Sequence, residues 1–348
     1  MRRCCRRKDR MAELLSWNVV FTGAGQAEVR QEPIGEPGPR QVRIRTRQSL
    51  LSMGTELICY ERRFEPGTGW ERWVKYPFYP GYSNAGVVDA VGSEVTHLAP
   101  GDRVASRAQH RQIALVDAAR ALAIPEGVSD EEATWFGLAN IVQNGVRRAE
   151  HELGDAVVVV GAGPLGQLVT QYSRLLGARE VIVLDLSGPR LEIARAHGAT
   201  HTLRLPVADA LEPVLGLTDG RGADIVYDVT GNYRVFPDAL RLPRRFGKVV
   251  LLGDTGLPSE QRLTHDVVNR GLRILGAHDT NPPPDATDHH WWNHPNMARL
   301  FFTYVRRGEM RVADLVTHRY PAAEAPRCYA SLAADRSQAL GVILEWPE

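Results

Sequence analysis

The sequence predicts an α/β fold: a doubly wound parallel sheet together with a second, β-rich unit. Three observations predict it. The chain has 348 residues, enough to build two hydrophobic cores. From about residue 154 onward, short apolar strands alternate with helical stretches, as βαβ units on a parallel sheet require. Over roughly 11–150, strands and turns alternate with Gly and Pro as punctuation, which suits a small β-barrel-like domain.

In chain order, Gln41-Val-Arg-Ile-Arg-Thr-Arg-Gln48 alternates apolar and polar residues, the mark of a half-buried strand. Gly86 to Val91 reads as another strand, ended by Gly92-Ser93, and Pro100-Gly-Asp-Arg-Val104 as a turn into a third. Ala156-Val-Val-Val-Val160 is a continuous apolar run, expected where a strand is buried on both faces. Leu165 to Leu176 is helical and stops at Gly177; Glu180 to Asp185 is a strand; Pro189 to His197 is a helix stopped by Gly198. Asp224–Asp228, Lys248–Leu252 and Leu272–Gly276 are further strands. Residues 279–296 are irregular, Met297 to Arg307 is helical, and Leu340 to Trp346 is strand-like.

Composition narrows the class. Hydrophobic residues make up 43% and charged residues 24%, and the formal net charge is +1, so there is no general pull toward nucleic acid or membrane. No apolar run approaches the length of a membrane span. The basic run Met1 to Arg10 lacks a following apolar segment, so it is no secretory signal and reads as a disordered tail, with Met11 a sensible start. Four cysteines without a CxxC pair give no disulfide framework and suit a reduced cytoplasmic chain.

Gly161-Ala-Gly-Pro-Leu-Gly166 carries G-x-G-x-x-G where a buried strand meets a helix. Gly161 allows the tight turn, Gly163 lets backbone approach a pyrophosphate, and Gly166 lets helix and strand pack closely. The helix start at Pro164 and Leu165 supplies unpaired N–H groups and a positive dipole. The next strand ends at Asp185, nineteen positions after Gly166. An acid there accepts both ribose hydroxyls of NAD and repels the 2′-phosphate of NADP, so NAD is expected over NADP. A structural turn with a helix-capping Asp is the plainer alternative. Arg190 reads equally as an adenine contact or as part of a solvated helix face. Thr230-Gly231, Gly253-Asp254 and Ala277-His278 end later strands and should border the same ligand.

With these motifs in place, the chain resembles the medium-chain dehydrogenase/reductase superfamily from about residue 15 to 348. The resemblance rests on Met53-Gly-Thr-Glu56, Pro80-Gly-Tyr-Ser83, Ala85-Gly-Val-Val88, Pro100-Gly-Asp-Arg-Val104, Ile124-Pro-Glu-Gly-Val128 and the glycine-rich turn. It implies a Rossmann domain, 151–284, inserted in a GroES-like catalytic domain formed by 11–150 and 285–348, with the active site between them. It also implies a homodimer or homotetramer and a small-molecule substrate. The zinc-dependent branch carries cysteine and Gly-His-Glu where this chain has Met53 and Gly81-Tyr82-Ser83, and Phe136 or a neighbour falls at the third ligand place. Methionine, tyrosine and phenylalanine do not replace thiolate or imidazole, so no metal is expected. The four-cysteine lobe of that branch is also missing between Arg103 and Leu115. Gly-Thr-Glu with Gly-Tyr-Ser is similar to the bacteriochlorophyllide-type dehydrogenases, which oxidise a secondary alcohol.

Without zinc, a hydrogen-bond donor or a general base must handle the hydroxyl proton. Tyr82 and Thr55 are the candidates, because both fall on motifs that line the family's cleft; Tyr82 as a plain wall residue is the alternative. Glu56 is expected to hold an arginine or to be a bare structural carboxylate. His110, His278 and His318 are further acid–base candidates, against the ordinary surface or structural role of most histidines. Trp70, Trp73, Tyr76, Tyr79, Trp291 and Trp292 form two aromatic clusters that fit either a substrate pocket or ordinary packing. Three functions are compatible: an NAD-dependent dehydrogenase of a secondary alcohol, polyol or sugar-like substrate; an enoyl or quinone reductase using NAD(P)H; and a non-catalytic NAD-binding protein.

Overall fold

The structure, a computed structural model, describes residues 14–347. The tail expected at 1–10 lies outside them.

The expected parallel sheet has six strands, in the order His201–Leu203, Glu180–Leu184, Ala156–Val160, Ala223–Asp228, Pro243–Leu251, Arg273–Gly276. Every neighbouring pair is parallel. Ala156–Val160 is buried along its whole length because helices cover both faces: Val157 and Val159 enter one apolar cluster, Val158 and Val160 another. The strand order reverses between Ala156–Val160 and Ala223–Asp228, and such a reversal opens a crevice at the carboxyl ends of the strands. The short strand His201–Leu203 carries too little pattern to be read from sequence.

The β-rich unit is a seven-stranded sheet. Its path runs Val316–Pro321, Gly341–Glu345, Gln41–Leu50, Asn84–Val91, Arg103–Ser106, Leu122–Ala123, with Ile113–Asp117 also paired to Gln41–Leu50. Gln41–Leu50 alternates as expected, with Val42, Ile44 and Thr46 buried. Ile343 pairs with Leu50, so the late strand closes onto the early one. Leu15–Gly23 and Gln26–Pro33 form a separate antiparallel hairpin.

The reading of 11–150 as strands and turns needs correction. Helices occupy Met53–Glu61, Gly69–Trp73 and Phe136–Arg148. The last is amphipathic but short of charge, and burial between neighbouring helices stabilises it where local propensity is weak. The irregular stretch is also shorter than expected, since the following helix already begins at His294, capped by the Asn293 side chain. Cys59 and Cys328 are free and buried, and no helix among the described residues is long and apolar enough to cross a membrane.

Candidate active site

The glycine-rich turn has the tight turn expected of Gly161 and the close helix–strand packing expected of Gly166. Gly161 has φ +103°, in the left-handed region. A Cβ on Gly166 would lie 1.9 Å from the Gly161 carbonyl oxygen, so helix and strand touch there. A Cβ on Gly163 would meet nothing within 4 Å, which leaves open space in front of the helix start. Helix Pro164–Leu175 begins with Pro164 and has no side-chain cap, so its first N–H groups remain available to an anion. Asp185 sits beside the turn: its carboxylate accepts the Ala162 N–H at 2.7 Å and the Ser187 N–H at 2.8 Å. The residues present therefore fit a dinucleotide phosphate with a ribose next to it.

Adjacent strand ends complete this wall. The Thr230 hydroxyl donates to Asp228 at 2.7 Å, Gly253 N–H donates to the Asp228 carbonyl at 3.0 Å, and buried Ala277 donates to Leu251 at 3.1 Å. Arg190 is engaged differently from either reading of it. Its Nη2 donates to the Arg336 carbonyl at 2.7 Å and the Ala339 carbonyl at 2.8 Å, tying the parallel-sheet unit to the late segment of the chain.

A second group of candidate residues is built around Tyr82, which is half-buried. Its hydroxyl donates to Ser52 Oγ at 2.5 Å. Burial pushes the phenol up to about 12, although hydrogen bonds with Ser52 and Thr55 work in the opposite direction. Thr55 is half-buried on the first turn of Met53–Glu61, so both candidates meet at one place. Arg107 lies over the Tyr82 ring, 5.2 Å from its centre, and is ion-paired with Asp279. Asp279 follows the last parallel strand, so this pair crosses between the two units. Arg107 Nη1 also lies 3.2 Å from His294 Nδ1. Arginine only donates, so Nδ1 accepts, and His294 Nε2 then donates to the Asp279 carbonyl at 3.0 Å. Burial holds the His294 pKa below its ordinary value, in keeping with that neutral form. Asn140 donates to the His294 carbonyl at 3.0 Å.

Glu56 does not hold an arginine. Its carboxylate, 2% exposed, accepts the Ser52 N–H at 2.8 Å and the Tyr329 hydroxyl at 2.5 Å, and lies 3.1 Å from His110 Nε2. His110 is fully buried and reaches Ser49 through Nδ1, so it belongs to the framework beneath Tyr82 and has no access to a substrate. His318 is on the edge strand, bonded to Thr317, and is not brought to Tyr82. His278 is exposed at the strand end and bonded to Thr280. The aromatic clusters divide: Trp73 packs edge-on against Phe78, Tyr79 donates to Glu32, and Trp292 lies over Arg147. Ser52, Arg107, Asp279 and His294 were missed in the sequence. Only folding brings them to Tyr82, and none stands in a spaced motif.

The places where the resemblance sets zinc ligands hold buried Met53, the Tyr82 phenol and buried Phe136 or a near neighbour. Among the described residues no group of three or more His, Cys, Asp or Glu is placed to hold a metal. A thioether, a neutral phenol and a phenyl ring do not fit a zinc ion.

Two family models match the chain: the alcohol dehydrogenase GroES-like domain over residues 38–135 and the zinc-binding dehydrogenase over 164–287. An L-threonine 3-dehydrogenase of Symbiobacterium thermophilum is 30% identical over 347 residues, covering 89% of this chain and 92% of that protein. A quinone oxidoreductase of Pseudomonas aeruginosa is 28% identical, covering 94% and 98%. Among solved structures, an alcohol dehydrogenase of Escherichia coli CFT073 in complex with NADH superposes with a TM-score of 0.79 at 20% identity, covering 95% and 99%. The relative of Symbiobacterium thermophilum is matched at 30% identity over nearly the whole length of both chains, and on that ground the chain belongs to the medium-chain dehydrogenase/reductase superfamily, a family of oxidoreductases.

Proposed function

We propose that this oxidoreductase is NAD-dependent and zinc-independent, and that it oxidises a secondary alcohol, polyol or sugar-like substrate. The observation that carries the reading is the Tyr82–Ser52 hydrogen bond at a place where the resemblance implies a zinc ligand, beside the Arg107–Asp279 pair. Asp185 supports NAD over NADP, because a carboxylate at the ribose repels a 2′-phosphate. Bound NAD would take the hydride released from the alcohol carbon.

The chain's own residues orient the hydroxyl and steady the charge. With its own hydrogen donated to Ser52, the Tyr82 oxygen keeps a lone pair that accepts a hydrogen bond from the substrate hydroxyl. The phenol stays neutral at pH 7, so it orients the hydroxyl and is not a standing base; the proton set free on oxidation passes to solvent water. Arg107 favours negative charge gathering at that oxygen. Its partners Asp279 and His294 hold the guanidinium over the Tyr82 ring.

The test is a paired kinetic screen: NAD reduction with secondary alcohols and polyols, against NAD(P)H oxidation with quinones and enones, alongside metal analysis of the purified protein. Alcohol-dependent NAD reduction without stoichiometric zinc is expected. One zinc per chain would overturn the metal-free reading. The second reading, a quinone reductase, is favoured by the Pseudomonas aeruginosa relative and would be supported by turnover in the reductive arm alone.

A further inference from the structure

A cavity of about 340 Å³ lies behind the parallel sheet, among the helices Phe136–Arg148, Pro164–Leu175 and His294–Arg306. That size is in the range of small-ligand sites. Its walls are largely apolar, with Leu175, Leu176 and Tyr304 among them, and Gln143, Tyr172 and Arg147 also line it. The Tyr172 hydroxyl and the Gln143 side chain are partnered with each other, whereas Arg147 Nε has no hydrogen bond. The Arg147 guanidinium has no ion pair among the described residues. It lies 3.5 Å from the centre of the Trp292 ring, which attracts a cation without neutralising it. Burial lowers the Arg147 pKa, the mark of a cation short of compensating charge.

We propose that this cavity is a binding site for a small organic carboxylate with a flat apolar body. The carboxylate pairs with Arg147 in the two-pronged geometry a guanidinium favours. The apolar body lies among Leu175, Leu176 and Tyr304. The site is separate from the glycine-rich turn: Tyr172 is eight residues beyond Pro164, roughly 12 Å along the helix. It is nevertheless joined to the cleft by one element. Helix Phe136–Arg148 carries Arg147 on the cavity side, and its Asn140 and Asn144 donate to the carbonyls of His294 and His278.

Isothermal titration of the full-length protein with 2-naphthoate tests the site. Saturable binding of one molecule per chain is expected, unchanged by saturating NADH. Naphthalene-2-carboxamide, the uncharged analogue, is expected to bind at least tenfold more weakly. Arg147→Gln should weaken 2-naphthoate at least tenfold while leaving the thermal midpoint and the NADH affinity in place. Leu176→Glu, which sets a negative charge on the half-exposed rim, should weaken it as well, and it serves if Arg147→Gln fails to fold. Four outcomes would overturn the proposal: no saturable binding, equal binding of the carboxamide, displacement by NADH, or a subunit interface that buries Trp292 and excludes the probe.

Discussion

Tyr82 carries the proposed metal-free reading of this site. A zinc ion would hold a substrate oxygen by its charge; on the proposed reading a neutral phenol, fixed by Ser52, does so by hydrogen bonding. Tyr82→Phe keeps the ring under Arg107 and removes only the hydroxyl. Loss of one such contact costs roughly 10²-fold in kcat, with a smaller change in KM. Steady-state kinetics of the variant check this, and unchanged kcat would make Tyr82 a wall residue. Asp185 was legible in the sequence from its spacing, but its two backbone hydrogen bonds were not. Because both carboxylate oxygens already accept an N–H, the side chain is fixed before any ribose arrives. Asp185→Asn should lower the NAD-to-NADP ratio of kcat/KM by about tenfold or more, equivalent to about 1.4 kcal/mol. An unaltered ratio would remove Asp185 from the cofactor assignment.

At the scale of elements, the start of helix Pro164–Leu175 carries the cofactor assignment. The glycine pattern, the proline and the preceding valine run each point to the same strand–turn–helix unit, so sequence and structure agree closely here. Gly166→Ala tests the packing. The added methyl would meet the Gly161 carbonyl oxygen, a backbone atom that cannot swing aside. Overpacking of this kind costs roughly 1–3 kcal/mol, and the displaced turn should weaken NADH at least tenfold. Denaturation and NADH fluorescence titration measure both, and a variant that binds NADH normally would refute the close contact. Helix Met53–Glu61 shows the opposite case. Its sequence was recognised as a motif, yet its helical state and its role in seating Glu56 under Tyr82 were not readable, because Tyr329 and His110 come from far along the chain.

The whole molecule holds its cleft through contacts between the two sheet units. Arg107 reaches Asp279, Arg190 reaches the carbonyls of Arg336 and Ala339, and Ser259 donates to Glu65 at 2.5 Å. Global stability has its own pH signature. The His151 side chain is only 3% exposed and lies 2.6 Å from the Tyr227 hydroxyl, and burial holds its pKa down to about 4. Asp155 at 3.8 Å does not offset that burial. An unfolded histidine titrates near 6.5, so between pH 6.5 and 4 the unfolded chain binds more protons than the folded one. Stability therefore falls as pH drops through that window, by roughly 3 kcal/mol at most from this group. His151→Gln keeps a partner for Tyr227 and removes the titration. Denaturant midpoints from pH 7 to 4.5 should fall less steeply in the variant; parallel curves would rule His151 out.

Local pattern determined much of this protein. The valine run, the alternating strand, the glycine turn and the spacing to Asp185 follow from short-range periodicity and backbone sterics, so they can be read residue by residue. The poor match of Met53, Tyr82 and Phe136 to a metal was equally legible, because ligand chemistry depends on residue type. The tertiary structure decided what surrounds Tyr82. Ser52, Arg107, Asp279 and His294 meet there, and Glu56 chose His110 and Tyr329 over an arginine. Those choices rest on burial and on partners up to 273 residues apart, which desolvation makes obligatory and no local pattern records.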